Sequence, residues 1–337
     1  MKFCCQNAFP RGGRQSRFRE GNDMAKRKKT NRKPGRAGKA LLAVMGSLVL
    51  AVCALVGIGA INANTVIVRR AEVTLKDLPE DFDGKTFLYA SDIDLCGLNN
   101  AEKAADLFNR LQSLHPDALL LGGDYTSPSL WEILNRNGKD AISDSRLKER
   151  AAFIRALAGF DAPLGKYAIR TPDDPDPDGL RAALTSAGFT PLFDEGAKLS
   201  SGGSVIRLVG LGGSTKVVGA AAGAMAQSDC VIALSPSPSL IPQIMINEAP
   251  GGGAWCDMIL TGHTHGGQVR LLGVNALSLN DQDRNYLSGW KVENGIPVLT
   301  TSGVGCEGIN VRLGSRAEVW LITLRRAGNA SGIKNYL

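Results

Sequence analysis

The chain has 337 residues, room for one large domain or two small ones, and a formal net charge of +7. The basic excess is local: residues 1–39 hold 13 Lys and Arg against two acids, whereas the other 298 residues hold 26 basic and 30 acidic side chains. Because the larger part is mildly acidic, the charge argues against a general nucleic-acid surface, and we expect no nucleic-acid partner. The segment 1–39 is rich in Lys, Arg, Gly and Asn and is predicted to be a disordered basic tail.

An uncharged stretch of 21 residues, from position 40 to position 60, follows the tail. At about 1.5 Å per residue, a helix of this length reaches about 31 Å, which matches a hydrocarbon core of about 30 Å. No clean signal-peptidase site is evident, so we predict an uncleaved transmembrane anchor over residues 40–61 rather than a buried core helix. Because Lys and Arg concentrate before it, the positive-inside rule predicts a single-pass protein with a cytoplasmic N-terminus and an extracytoplasmic domain. The tail charge favours anionic lipids.

Short aliphatic runs alternate with helical patterns beyond the anchor. Strands are predicted at 66–75, 86–90, 118–121, 166–169, 205–209, 231–234, 258–260, 297–300 and 318–324. Helices are predicted at 101–114, 143–157, 180–187 and 220–227, the third with Asp178 as its N-cap. This order predicts a layered α/β domain with a mixed sheet over residues 65–327, followed by a C-terminal tail at 328–337.

Chemically active side chains follow four of the predicted strands. They are Asp92 and Asp94, then Asp124, then Asp173, then His263 and His265. In layered α/β folds, ligands bind in the loops at the carboxyl ends of strands, so we expect these side chains to face one site. The two histidines are two residues apart, which on an extended chain points both imidazoles the same way. One such loop would be ordinary turn chemistry, but four in the same position indicate a common site.

These loops, in this order, resemble the calcineurin-like metallophosphoesterases, and most closely their membrane-anchored bacterial branch. The family pattern reads D-x-H, G-D, G-N-H-D, a lone His after a strand, and G-H-x-H. The resemblance covers roughly residues 70–325, and its most specific block is T-G-H-T-H-G-G-Q at 261–268. It implies a four-layer αββα sandwich behind one transmembrane helix. It also implies hydrolysis of a phosphoester, phosphodiester or pyrophosphate by two metals about 3.5–4 Å apart.

The resemblance assigns metal ligands position by position. The first metal would be held by four side chains: Asp92, Asp94, Asp124 and His265. The family has a histidine at the position of Asp94, and exchanging nitrogen for carboxylate shifts preference from zinc or iron toward manganese, magnesium or calcium. The second metal would retain only Asp124 and His263. We therefore expect a divalent cation, one ion rather than two, drawn from Mn, Mg, Fe, Zn or Ca.

Three further family positions carry replacements. Thr171 stands where the family has the Asn ligand, Pro236 where it has the lone His, and Pro172 where it has the catalytic His. Proline has no proton to give, so the catalytic residue stays unassigned. The third histidine of the chain, His115, precedes a proline before a core strand and is predicted to be structural.

Two functions stay open on the sequence. The first is an active membrane-anchored phosphohydrolase, acting on a phosphorylated lipid or another cell-envelope substrate. The second is a catalytically inactive family member that serves as an envelope binding or scaffold protein. Loss of a catalytic acid and two ligands typically costs on the order of a thousandfold or more in rate, which favours the second. Retention of the buried ligand types favours the first. The residues leave the oligomeric state open.

Overall fold

The computed structural model describes residues 35–129, 132, 143–271, 274–275, 279–327 and 332–336. The predicted disordered tail lies outside the described residues as far as position 34. Helix α1, Arg36–Asn64, contains the predicted anchor and extends past it at both ends. By length and composition it is suited to cross a membrane, and the side chains of its most apolar window are unburied. The chain divides into two units within this helix, between Val49 and Leu50.

A seven-stranded sheet forms one half of the larger unit. Its strands are β1 (Ile67–Leu75), β2 (Thr86–Ala90), β3 (Ala118–Leu121), β4 (Lys166–Ala168), β5 (Phe189–Pro191), β14 (Glu318–Arg326) and β15 (Gly332–Tyr336). The order across the sheet is β15-β1-β14-β2-β3-β4-β5. Strands β2 to β5 run parallel, whereas β14 runs antiparallel to β2. Strand β15 falls within the segment predicted as a C-terminal tail and pairs antiparallel with β1.

A six-stranded sheet forms the other half. Its strands are β6 (Gly196–Ser201), β7 (Ser204–Gly210), β8 (Val231–Ser235), β9 (Met258–Thr261), β12 (Gly289–Glu293) and β13 (Ile296–Thr300). Their order is β12-β13-β9-β8-β7-β6, with β7, β8, β9 and β13 parallel. A separate short ribbon joins β10 (Arg270–Leu271) to β11 (Val274–Asn275).

The remaining helices are short. They are α2 (Ala101–Leu111), α3 (Asp144–Ala156), α4 (Pro177–Ser186), α5 (Thr215–Ala224), α6 (Ile241–Ile246) and α7 (Asp281–Asn285). Helix α4 begins three residues earlier than predicted because Pro177 suits a first helical position. The side chain that caps it is Asp176, which accepts a hydrogen bond from the backbone N–H of Gly179. The prediction of Asp178 as the cap was therefore wrong.

Successive side chains of the central strands point to opposite faces of each sheet and pack into different cores, which gives the domain four layers. In β2, Phe87 and Tyr89 belong to the core between the two sheets, whereas Leu88 and Ala90 belong to the core beneath α2, α3 and α4. In the second sheet, residues of β8 and β9 divide in the same way between the central core and the core beneath α5 and α6. Strands buried on both faces read as continuous apolar runs. The predicted αββα sandwich behind one apolar helix is confirmed.

The C-terminal end of α1 and the carboxyl ends of the central strands lie at one edge of the domain. Helix α1 leads directly into β1, and Ile67 at the start of β1 is paired with Glu318 at the start of β14. Because β14 is antiparallel to β2, its start lies beside the end of β2, with Trp320 opposite Tyr89. The loops that follow the parallel strands therefore lie on the same side as the end of α1.

Candidate metal centre

Three buried side chains meet at this edge. The ligand atoms of Asp92, Asp94 and His265 all lie within 4.8 Å of one another. The Nε2 atom of His265 is 3.5 Å from Asp94 Oδ2 and 3.8 Å from Asp92 Oδ1. The Oδ2 atoms of both aspartates are buried without a hydrogen-bond partner. Unsatisfied buried carboxylate oxygens are costly, and a divalent cation would satisfy them, so these residues fit a metal ion.

The other two predicted residues form a pair beside this cluster. His263 Nδ1 is 3.6 Å from Asp124 Oδ2. The backbone N–H of His263 donates a hydrogen bond of 2.7 Å to Asp92 Oδ1, which links the pair to the cluster. The side chain of His263 is 39% exposed and that of Asp124 is 15% exposed, whereas Asp92 is fully buried. The structure therefore brings the five predicted residues together as a closed group of three and a more open group of two.

All five residues share an unusual backbone conformation. The positive φ angles are 52° at Asp92, 45° at Asp94, 51° at Asp124, 74° at His263 and 49° at His265. Asp and His tolerate the left-handed region better than bulkier residues, yet each instance costs on the order of 1–3 kcal/mol. These turns redirect the chain just after β2, β3 and β9, and the surrounding contacts hold them. Strain concentrated at strand ends is typical of functional sites.

Close backbone approach explains two glycines of the site. A Cβ on Gly262 would overlap Asp92 Oδ2, and one on Gly303, whose φ is +72°, would lie 2.6 Å from Asp92 Cβ. The loop after β13 is further tied to the aspartate loop, because Gly305 N–H donates to the carbonyl of Asp92 at 2.7 Å. Any side chain at these glycines would push Asp92 away from its neighbours.

The loop after β4 holds Asp124 by hydrogen bonds, whereas the family pattern has a histidine in this loop. The hydroxyl of Thr171 donates a hydrogen bond of 2.6 Å to Asp124 Oδ1. The buried carboxylate of Asp174 accepts from the backbone N–H groups of Asp124 at 3.1 Å, Tyr125 at 2.9 Å and Thr171 at 2.9 Å. Pro172 packs against Gly213, where a Cβ would lie 2.6 Å from the proline ring. The role of Asp174 in holding this loop was not predicted. The only sequence signal was its position two residues after Pro172, which stands where the family has its catalytic histidine.

A buried arginine, Arg312, orients His265, and no role was predicted for it from the sequence. The Arg312 guanidinium donates to the carbonyls of Gly303 at 3.3 Å, Gly305 at 2.6 Å and His265 at 3.2 Å, and Nη2 lies 3.4 Å from His265 Nδ1. With Nδ1 towards Arg312, the ring presents Nε2 to Asp92 and Asp94, the atom that would reach a metal.

Burial sets the electrostatics of the closed group. It raises the pKa of Asp92 to about 7, with a further contribution from the charge of Asp124. Burial, then Asp124 and Asp92, raises the pKa of Asp94 well above its usual value. Burial and the positive charge of Arg312 lower the pKa of His265 to about 3, so its imidazole is neutral. A bound cation would reverse the shifts of the carboxylates, since it favours their charged form.

In the open pair, Asp124 and His263 shift each other's pKa values towards the charged forms. Burial alone would raise the pKa of Asp124, but hydrogen bonding with His263 and Thr171 holds it below the usual value. The same interaction with Asp124 raises the pKa of His263 to about 9, against the effect of burial. The pair is therefore an ion pair at neutral pH and neutralises its own charge.

Comparison with known proteins places the chain. No protein-family model matches it. Phosphodiesterase YaeI from Escherichia coli (strain K12) is 31% identical over 216 residues, which are 62% of this chain and 70% of that protein. The chain belongs to the calcineurin-like metallophosphoesterase superfamily.

A second relative is described by name as a transmembrane protein. The "transmembrane protein with metallophosphoesterase domain" of Danio rerio is 25% identical over 304 residues, 85% of this chain, which spans 63% of that protein's length. Among solved structures, a dimetal phosphatase from Danio rerio matches with a TM-score of 0.40 and 10% identity, over 72% of this chain and 99% of that one. Together with α1, the family membership describes a membrane-anchored metallophosphoesterase and fits a single-pass membrane protein.

Proposed function

We propose that this metallophosphoesterase hydrolyses a phosphoester with one tightly held divalent cation. The observation that carries the proposal is the buried group of Asp92, Asp94 and His265, in which two carboxylate oxygens have no hydrogen-bond partner. Buried like charges without a counter-ion are strongly destabilising. These three residues, with Asp124 at their edge, would hold the cation. When bound, it would supply positive charge to a phosphoryl oxygen and lower the pKa of a water.

One ion rather than two follows from how each group satisfies its charge. Asp124 already pairs with His263 and accepts the Thr171 hydroxyl, so it needs no cation for charge balance. The lone family histidine after β8 is replaced by Pro236. Two ligands rarely hold a divalent cation unaided, whereas the closed group supplies three. Its oxygen-rich donor set favours Mn or Mg, with Ca, Fe and Zn as the other candidates.

His263 is the residue best placed to meet the substrate. Its side chain is 39% exposed, while that of His265 is 5% exposed. The charge of its imidazole, held by Asp124, suits a phosphate oxygen. We assign His263 to binding the phosphoryl group and Arg312 to positioning His265.

The membrane topology follows from the charge of the tail. We infer that residues 1–39 face the cytoplasm and that the domain at 65–327 lies outside, because residues 1–39 hold 13 basic side chains against two acids. The shared edge of α1 and the site favours a phosphorylated lipid or another envelope substrate, and the acidic domain argues against nucleic acid. Protease digestion of intact and permeabilised cells tests the orientation: cleavage of the domain only after permeabilisation would reverse it.

Metal analysis and turnover of the full chain test the proposed activity. The protein is purified in a neutral detergent, its metal content is measured by mass spectrometry, and hydrolysis of bis(4-nitrophenyl) phosphate is followed with Mn, Mg, Zn, Fe and Ca. We expect about one ion per chain and turnover that Asp124→Asn abolishes. Asp178→Asn, at an exposed acid, serves as the matched control. Absence of bound metal would refute the proposal.

A second function is favoured by one observation. Pro172 occupies the position of the family's catalytic histidine and cannot donate a proton to a leaving group. The alternative is a catalytically inactive envelope protein that binds a metal and a phosphorylated ligand or serves as a scaffold. One ion per chain without turnover of phosphomonoesters, phosphodiesters or pyrophosphates would support this alternative over hydrolysis.

A further inference from the structure

A polar cavity, separate from the metal centre, lies beside the end of α1. Its volume of about 470 Å³ is in the range of small-molecule sites, about 300–1,000 Å³. Its wall includes Asn62 of α1, three arginines (Arg69, Arg270 and Arg316) and two tryptophans (Trp290 and Trp320). Within the described part of the chain, none of the five metal-site residues lines this cavity. It is therefore a separate feature of the same edge.

The charge of the cavity wall is positive. Its single carboxylate, Glu318, is 3% exposed and is already satisfied: it pairs with Arg69 and accepts from the backbone N–H of Ser302 at 3.0 Å and the indole N–H of Trp320 at 2.9 Å. Arg270 donates through Nε to the Gly314 carbonyl at 3.0 Å. Neither Arg270 nor Arg316 has an acidic partner among the residues that the structure describes. Their charges therefore remain to be neutralised.

One hydrogen-bond donor in the wall has no acceptor. The indole Nε1 of Trp290 is buried and makes no hydrogen bond, the only side-chain polar atom in the described wall of which this is true. Its ring meets that of Trp320 edge to face, with centroids 5.9 Å apart and an interplanar angle of 88°. Leaving a buried donor unpaired costs about 1–3 kcal/mol. Since this N–H has almost no exposed surface, the groups that can meet an oxygen-rich anion in the cavity are the guanidinium groups of Arg270 and Arg316.

The cavity lies beside the last turn of α1, where the apolar stretch of the helix ends. The carbonyl of Gly59 accepts from the backbone N–H of Arg312 at 2.9 Å, and a Cβ on Gly59 would overlap Val311. Three residues later, Asn62 Nδ2 donates to the Arg312 carbonyl at 3.2 Å. Ile309, in the same loop, is 52% exposed. The loop that carries Arg316 is thereby fixed against the end of the anchor, where lipid headgroups and interfacial tryptophans are found.

We propose that this cavity binds the phosphate of an anionic lipid headgroup. Guanidinium groups hold phosphate through paired charge-assisted hydrogen bonds, and each arginine near an anionic surface contributes about 1 kcal/mol, or about fivefold in affinity. Arg270 and Arg316 supply the charge, and the rings of Trp290 and Trp320 form part of the wall beside them. Free phosphate offers the same oxygens, but only a lipid is concentrated at the end of α1. The site would hold the catalytic edge against the bilayer and is independent of hydrolysis.

Thermal unfolding of the full chain in neutral detergent tests the proposal. Dioleoylphosphatidylglycerol, dioleoylphosphatidylcholine and inorganic phosphate are titrated separately, and the shift of Tm gives an apparent affinity. We expect phosphatidylglycerol alone to stabilise the wild type. Arg316→Gln should weaken its apparent affinity about fivefold, and Arg270→Gln/Arg316→Gln about 25-fold.

Matched variants separate this proposal from others. Arg181→Gln, at an arginine on α4 that is paired with Glu195, should leave the lipid response unchanged. Because Arg316 is exposed, Arg316→Gln should fold normally and keep its metal content and its turnover of a soluble diester, so failure here is distinguishable from failure of the proposed activity. Equal stabilisation by the two lipids, equal stabilisation by inorganic phosphate, or no effect of the double variant would each overturn the proposal.

Discussion

The closed and open halves of the metal centre lie side by side and differ in how their charge is satisfied. In the closed half, the side chains of Asp92, Asp94 and His265 are 0%, 6% and 5% exposed, and two carboxylate oxygens lack partners. In the open half, Asp124 and His263 are more exposed and form an ion pair. Replacing a ligand in the closed half would leave an unpaired buried charge, whereas water or a hydroxyl can take over in the open half. Thr171, an altered family position, contacts the open half through its hydrogen bond to Asp124.

Removing a closed-half ligand should have the largest effect. Asp92→Ala takes away one carboxylate and the acceptor of the His263 N–H, so we expect metal affinity to fall by more than the roughly 10–100-fold typical of an outer-shell residue. Metal content per chain after dialysis is the measurement, with Asp178→Ala as the control. Unchanged metal content would show that the cluster is not the site.

Restoring the family residues at positions 171 and 172 should turn the open half into a second metal site. Thr171→Asn/Pro172→His reinstates an amide ligand and a proton donor where the hydroxyl of Thr171 now holds Asp124. We expect bound metal to rise from one toward two ions and diester hydrolysis to rise about 100-fold, the lower range for general acid catalysis. Steady-state rates and metal analysis measure both. Thr171→Asn alone should add metal without the full gain in rate.

Replacing the buried Arg312 should weaken metal binding by the closed half, because Arg312 positions His265. Arg312→Gln removes donors to the carbonyls of Gly303 and Gly305 that position His265, and we expect a loss of about 10–100-fold in metal affinity. Arg312→Lys should restore little, because one ammonium does not reproduce the guanidinium fork. Isothermal titration with Mn measures the change. Full rescue by lysine would mean that charge alone suffices.

Exchanging one donor atom should alter metal choice rather than metal binding. Asp94→His replaces a carboxylate oxygen with an imidazole nitrogen at the family's usual position, which shifts preference from Mn and Mg toward Zn and Fe. Competition of equal Mn and Zn, read by mass spectrometry, should show a higher bound Zn fraction than the wild type. An unchanged ratio would remove Asp94 from the ligand set.

The contact between anchor and domain should give the smallest effect. A Cβ on Gly59 would overlap Val311 and lie 3.3 Å from Leu313, so Gly59→Ala should destabilise the packed loop by about 1–3 kcal/mol. Gly57→Ala is a matched control on the same helix, since a Cβ there meets nothing within 4 Å. Thermal unfolding in detergent measures both. Equal Tm values would indicate that α1 does not dock on this loop.

The accuracy of the sequence predictions follows burial. Strands β2 and β3 have the predicted bounds because strands buried on both faces are uninterrupted apolar runs. Strands β6 and β12 escaped prediction because they are edge strands without a continuous buried apolar run, and β5 has only three residues. Helix α5 begins at Thr215, five residues before the predicted start, because the prediction followed the alanine-rich segment alone.

The sequence by itself determined the apolar anchor, the layered α/β class and the kinds of side chain at the strand ends, because these depend on composition and on local periodicity. Only the tertiary structure decided that Asp92, Asp94 and His265 form the closed group and that Asp124 pairs with His263 instead. It also decided that Arg312, 47 positions after His265, holds that ring. Such groupings depend on left-handed turns at strand ends and on packing between distant loops, which no local pattern encodes.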